Sequence, residues 1–172
     1  QSFITFATYC DQNVDNGKGG LEPRCQIDLV IDEIQDAWEW IYAIAQSSLA
    51  NIFLAGGKYR IKADQLSTSM MLFTEGNVTD ISFGYIPKRD RVSYIEATYT
   101  DRDLDYKREI VVTLDEAVTD VSQYVKETIE YTGVTRRSQV QRLSTYRINA
   151  NKYLNRYVDW TSDIAAIRCE PG

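Results

Sequence analysis

Three aspartates, Asp101, Asp103 and Asp105, occupy alternate positions of TYTDRDLDYKREI, residues 98–110. That spacing matches the first three ligand positions of an EF-hand loop. The rest of such a loop is missing. Its sixth position needs glycine for a sharp turn and here holds Tyr106; its twelfth needs a bidentate glutamate and holds Val112. Both flanks read as strands rather than helices. The stretch is therefore read as a hairpin tip whose aspartates hydrogen-bond the local backbone.

Other candidate chemistries are thinner. LAGGKYR, residues 54–60, superficially matches a phosphate cradle, but a P-loop needs strand, loop and helix in that order, and Ser or Thr after the lysine. Tyr59 stands there, so the segment reads as a hairpin turn. Paired carboxylates for glycoside hydrolysis are defined by their separation in space, and among 25 acidic residues some pair can always be named. The chain has no histidine. That removes Ser-His-Asp and Cys-His nucleophile systems, His-ligated zinc and imidazole acid–base chemistry. Cys10, Cys25 and Cys169 match no zinc or redox spacing. Cys10 and Cys25 could bridge a loop, while three inert thiols in a reduced chain are the simpler reading. No catalytic residue, metal ligand or cofactor site follows, and the chain is read as a non-enzyme.

Charge is distributed unevenly. Residues 136–156 carry Arg136, Arg137, Arg142, Arg147, Lys152 and Arg156 and no acid, while the whole chain stands at −6. Tyrosines interleave with these bases, as a nucleic-acid surface could require. The overall negative charge repels a polyanion, so nucleic acid is disfavoured as a partner. A basic helix packed beside acidic neighbours, in this chain or in the next protomer, explains the pattern equally well. Arg136, Arg137, Arg142 and Arg147 are accordingly the candidate protein–protein contact residues.

The elements that must position these groups follow from periodicity. CDQNVDNGKGGLEPRC, residues 10–25, is rich in turn residues and reads as a loop, and QIDLVI after it as a short strand. Ile34, Ala37, Trp38, Ile41, Ile44, Ala45 and Leu49 form one apolar stripe, predicting a long amphipathic helix over about 33–50. Asp32 would cap it with Gln35 three residues on, and Trp38 would sit in the core. NIFLAGGKYRIKAD reads as a hairpin around Gly56-Gly57. NVTDISFGYI places Ile81, Phe83 and Tyr85 on one side of a strand, and two further strands flank the acidic turn, together suggesting an antiparallel meander. VSQYVKETIEYTGV could be strand or short helix. A basic helix over about 136–151, capped by Thr135 or Ser138, follows, and then one or two final strands. Twelve tyrosines suit sheet faces. The longest unbroken apolar run is WIYAIA, far short of the roughly 20 residues of a membrane helix.

Read in order, five segments resemble the middle of the phage tail tip attachment family, the lambda J-like host-specificity proteins. They are FATYCDQNV with GLEPRCQIDLVID; DAWEWIYAIAQSSLANIFLAGGKYRIKAD; VSYIEATYTDRDLDYK; GVTRRSQVQRLSTYRINANKY; and the terminal CEPG, where the family tends to carry a Pro-Gly-Asp turn. The resemblance implies a structural part of a phage or prophage tail tip: a hub segment linking the tail tube to host-contacting parts. It implies other tail proteins as partners, a homotrimer in the full-length protein with this piece monomeric, and a place in the virion tail tip after assembly in the host cytoplasm. The missing initial Met and the CEPG end read as a piece of a longer chain.

The expectation is an α+β chain of two packed modules with antiparallel sheets. Residues 1–75 would hold the helix and hairpin, and 76–172 an antiparallel sheet with the basic helix. A host-glycan-binding module and a carboxylate-based hydrolase of a tail tip are the alternatives.

Overall fold

A computed structural model describes residues 2–34 and 36–169. In chain order the elements are α1 (Ser2–Cys10), β1 (Asn13–Asp15), β2 (Leu21–Pro23), α2 (Ala37–Gln46), β3 (Ala50–Ala55), β4 (Lys58–Ala63), β5 (Val78–Tyr85), β6 (Tyr94–Asp101), β7 (Lys107–Leu114), β8 (Lys126–Glu130), α3 (Arg137–Tyr153) and β9 (Arg156–Ser162). Helices and mostly antiparallel strand pairs make this an α+β fold. Gln35, and the end of the chain after Cys169, lie outside the described residues.

The core forms where α3 lies across the sheet β7-β6-β8. On β6, Ile95, Ala97 and Tyr99 alternate inward, and Val111 joins them from β7. Tyr131, Val134, Val140, Leu143 and Ile148 close over them. The apolar stripe of α3 looks thin in the sequence because two of its buried positions, Gln139 and Ser144, are polar. The meander expectation is corrected here. β6 pairs antiparallel with β7 but parallel with β8, and β5 pairs with the distant β9.

The long helix is shorter than its stripe. α2 begins after Asp36, whose Oδ1 accepts the Trp38 N–H at 2.8 Å and so caps the helix in place of Asp32. It ends where Ser47 turns its hydroxyl back onto the Ala43 carbonyl and also reaches the Thr132 carbonyl, and Leu49 takes a left-handed conformation at φ +52°. Trp38 is not core. It is 36% exposed and meets Tyr42 and Tyr59 at ring separations of 5.8 and 5.4 Å.

Gly56 and Gly57, at φ +58° and +71°, make the two-residue turn between β3 and β4. The Asp101–Asp105 stretch joins β6 to β7, with Asp105 left-handed and Asp101 Oδ1 accepting the Asp103 N–H. It is the hairpin turn the flanks required. QIDLVI forms no strand. The Asp28 N–H does reach the Gly133 carbonyl at 2.8 Å, but the Gln26 N–H is taken by the Gln139 side chain, so no ladder develops. Gly133, at φ +74°, lets this segment approach: a Cβ there would lie 2.7 Å from Ile27 Cγ2. The 121–134 segment is a short 3-10 turn and then β8; the final segment is β9 and another 3-10 turn. α1 escaped the sequence reading. Its β-branched and aromatic residues favour strands, and it packs against β4 instead.

Candidate functional site

The basic helix is tied into its own chain from the first residue. Arg136, immediately before α3, is 5% exposed. Its Nη1 lies 3.3 Å from Glu22 Oε2, and its Nη2 donates to the Pro23 carbonyl and to Gln139 Oε1. Arg142, on the next turn but one of the same helix, donates to Glu22 Oε1 at 2.6 Å and to the Arg24 carbonyl. Ser138 donates to the same Glu22 oxygen at 2.7 Å. Burial alone would raise the Glu22 carboxyl, but these donors and the two guanidiniums outweigh it and hold it below its ordinary value. Thr135 and Ser138, the expected caps, are spent on Asp28 and Glu22. The cap position is Arg136, with no side-chain cap bond.

Gln139 completes the joint. Fully buried, it accepts the Gln26 N–H at 3.0 Å and an Arg136 N–H at 2.8 Å, and it donates to the Ser47 carbonyl at 3.1 Å. One side chain therefore binds the 22–28 loop, the end of α2 and the start of α3. Further along, Arg147 donates twice to Glu127 at 2.9 and 2.6 Å, and Lys152 reaches Asp115 at 2.9 Å. The Tyr146 hydroxyl donates to Asp64; burial first, then that bond, pushes its pKa up to about 12. The basic segment is thus neutralised largely by acids of the same chain. Of the four arginines singled out from sequence, Arg136 is buried, Arg142 and Arg147 are ion-paired yet partly exposed, and Arg137 is exposed.

A second feature is apolar. β5 and β9 form a two-stranded antiparallel ribbon in which Phe83 faces Val158 and Tyr85 faces Arg156. Strand alternation puts Ile81, Phe83, Tyr85, Val158 and Trp160 on one face, and all five are exposed, Phe83 to 72%. Their alternation was readable in the sequence; that the face looks outward was not. Trp38, Tyr42 and Tyr59 make a smaller exposed aromatic group on α2 and β4. Contiguous apolar surface of this kind marks interaction sites on soluble proteins.

A groove of about 1320 Å³ runs between α3, the 112–117 segment and the hairpin tip at Asp15–Gly17. Asp15, Asp115 and Glu116 line it, and Asp115 is held below its ordinary value, chiefly by the bond from Lys152. A general acid for glycoside hydrolysis needs the opposite shift. Among the described residues, every carboxylate with a resolved shift is lowered: Glu22, Asp28, Glu96, Asp115 and Asp120.

A family model described as "Putative phage tail protein" matches residues 36–172. The chain is also similar to the Tip attachment protein J of Escherichia phage SECphi27, with 29% identity over 152 residues. That match covers 87% of this chain and 13% of the relative, so the chain spans only a small part of the relative's length.

Proposed function

Because the chain belongs to this family of phage tail proteins, we propose that it is a hub segment of a tail tip, joining the tail tube to host-contacting parts by protein–protein contacts and catalysing no reaction. The apolar face of the β5–β9 ribbon carries this reading. Five large apolar side chains on one face are costly to leave in water and gain by meeting a partner. The partners are other tail proteins, and copies of the same chain in a full-length homotrimer; this piece alone is monomeric. It assembles in the host cytoplasm and ends at the virion tail tip. Residues 1–75 and 76–172 act as two packed modules, with the Glu22–Arg136 joint between them. Arg137 and the exposed parts of Arg142 and Arg147 offer a second, polar contact surface on α3, while Arg136 supports it from within. Among the described residues, no helix is long and apolar enough to cross a membrane.

Cross-linking of purified virions with an amine-reactive reagent tests the proposal. Lys88 lies three residues beyond the ribbon strand β5. It should link to another tail protein or to another copy of this chain. Recovery of intrachain links alone from this region, or absence of the chain from virions, would refute the assignment.

A further inference from the structure

Cys10 closes α1, and Cys25 follows the β1–β2 hairpin, where the chain returns to the same place. The Cys25 N–H donates to the Cys10 carbonyl at 3.1 Å, and the neighbouring Arg24 N–H donates to the Gln12 carbonyl at 2.8 Å. This backbone contact brings the two residues near the Cα separation of about 4.4–6.8 Å that a disulfide bridges. Both cysteines are free and half-buried, and their thiols lie close enough to influence each other's titration, while the Cys25 thiol donates to the Ser48 carbonyl at 3.9 Å. We propose that Cys10 and Cys25 form a covalent modification site, a thiol pair that a low-molecular-weight disulfide such as oxidised glutathione converts into an intrachain cross-link.

The two thiols are not equivalent. The bond from Cys10, helped by Arg24, Arg142 and Arg136 nearby, holds the Cys25 thiol below its ordinary value against the effect of burial. That same bond, with burial, pushes Cys10 up. The guanidiniums of Arg24, Arg142 and Arg136 near Cys25 favour its thiolate, which assigns it as the attacking group. It gives its proton to solvent and attacks one sulfur of oxidised glutathione; the S–S bond breaks, and one glutathione leaves as thiolate and is reprotonated. Cys10 then loses its proton and attacks the Cys25 sulfur of the mixed disulfide, expelling the second glutathione. Two protein thiols are oxidised to one disulfide, and one glutathione disulfide is reduced to two thiols. The cross-link closes residues 10–25 into a ring that contains Glu22 and the Pro23 and Arg24 carbonyls. Those are the groups that hold Arg136 and Arg142, so oxidation ties the loop that grips the start of α3 to the end of α1. Cys169 is exposed, with Met71 as its sulfur neighbour at 4.0 Å, and serves as an internal control.

The test treats the reduced 172-residue chain with oxidised glutathione, traps remaining thiols with iodoacetamide, and maps the products by mass spectrometry without reduction. A linked Cys10–Cys25 peptide is expected, with Cys169 alone alkylated or glutathionylated. The melting temperature should rise by roughly 5–10 °C, as closing a loop of this length implies. Separate glutathione adducts on Cys10 and Cys25, or alkylation of both as fast as Cys169, would overturn the proposal. The Cys10→Ser variant should stall as a mixed disulfide on Cys25. The absence of that adduct in folded variant would overturn the assignment of Cys25 as the attacking group. The wild-type peptide map decides the cross-link itself and requires no variant to fold.

Discussion

Replacing Glu22 by alanine is expected to cost about 3–5 kcal/mol of folding stability at neutral pH, the usual penalty for stranding a buried cation. Glu22 is the only carboxylate that the described structure places within ion-pair distance of Arg136 or Arg142, and its side chain is 12% exposed. Without it Arg136 keeps the Pro23 carbonyl and Gln139 as acceptors, but its charge stays buried with no counter-ion in contact. Urea unfolding followed by circular dichroism measures the loss as a lower midpoint. Adding Arg136→Met to the Glu22→Ala chain should recover part of it, because a buried apolar side chain needs no counter-charge. The pH dependence has a definite sign. The folded-state value of Glu22 is depressed, so its contribution is fully present above its ordinary value of 4.5 and is lost as pH falls through the lower folded value. The difference between wild type and Glu22→Ala should shrink below that window. A difference within about 0.5 kcal/mol at neutral pH, the range of ordinary surface changes, would mean that the loop is not fastened to α3.

Gln139→Leu should be nearly as damaging, at about 3 kcal/mol, since each buried polar group left unpaired costs on the order of 1–3 kcal/mol and such losses do not simply add. Leucine fills a similar space but abandons the Gln26 N–H, an Arg136 N–H and the Ser47 carbonyl together. Combined with Glu22→Ala, its cost should be clearly less than additive, because both changes release Arg136. Full additivity in a double-mutant cycle would show that the two residues do not act on one joint. Arg137→Ala, on the exposed side of the same helix, is the control, with a change expected within about 0.5 kcal/mol.

The α+β class, the β3–β4 hairpin, the acidic turn and the basic helix were legible because local chemistry settles them. Gly56-Gly57 names its own turn, and alternation on both sides of Asp101 names the two strands. α2 was only half legible. Asp36 and Ser47 can sit in a helix or end one, and the choice fell to bonds with their own backbone and, for Ser47, with Thr132. Trp38 shared a stripe with half-buried Ile41 and Ile44, yet periodicity reports which residues share a face, not whether that face is covered. The pairing of β5 with β9 joins strands more than 70 residues apart, and short-range patterns carry no trace of it. The parallel β8 was hidden for the same reason. At the candidate site, six bases without an acid were visible in the sequence, while the acids that answer four of them come from residues 22, 115 and 127. Glu22 stood in the quoted Glu-Pro-Arg turn, and its role needed the fold to bring it to α3. Gln139 gave no signal, since a glutamine on a helix is ordinarily solvated.

The most direct test of the central claim is the double substitution Phe83→Ser, Trp160→Ser, introduced into the tail gene of the phage and, in parallel, into the isolated chain. Both side chains are exposed, Trp160 also packing on Phe73 at a ring separation of 5.1 Å, so the isolated chain should stay folded with a modestly lower melting temperature. The contact should weaken by at least about tenfold, or about 1.4 kcal/mol, and the defect should be seen as fewer infectious particles and tails lacking a completed tip. A folded variant that assembles complete, fully infectious tails would contradict the account, because the face would then have no partner in the virion.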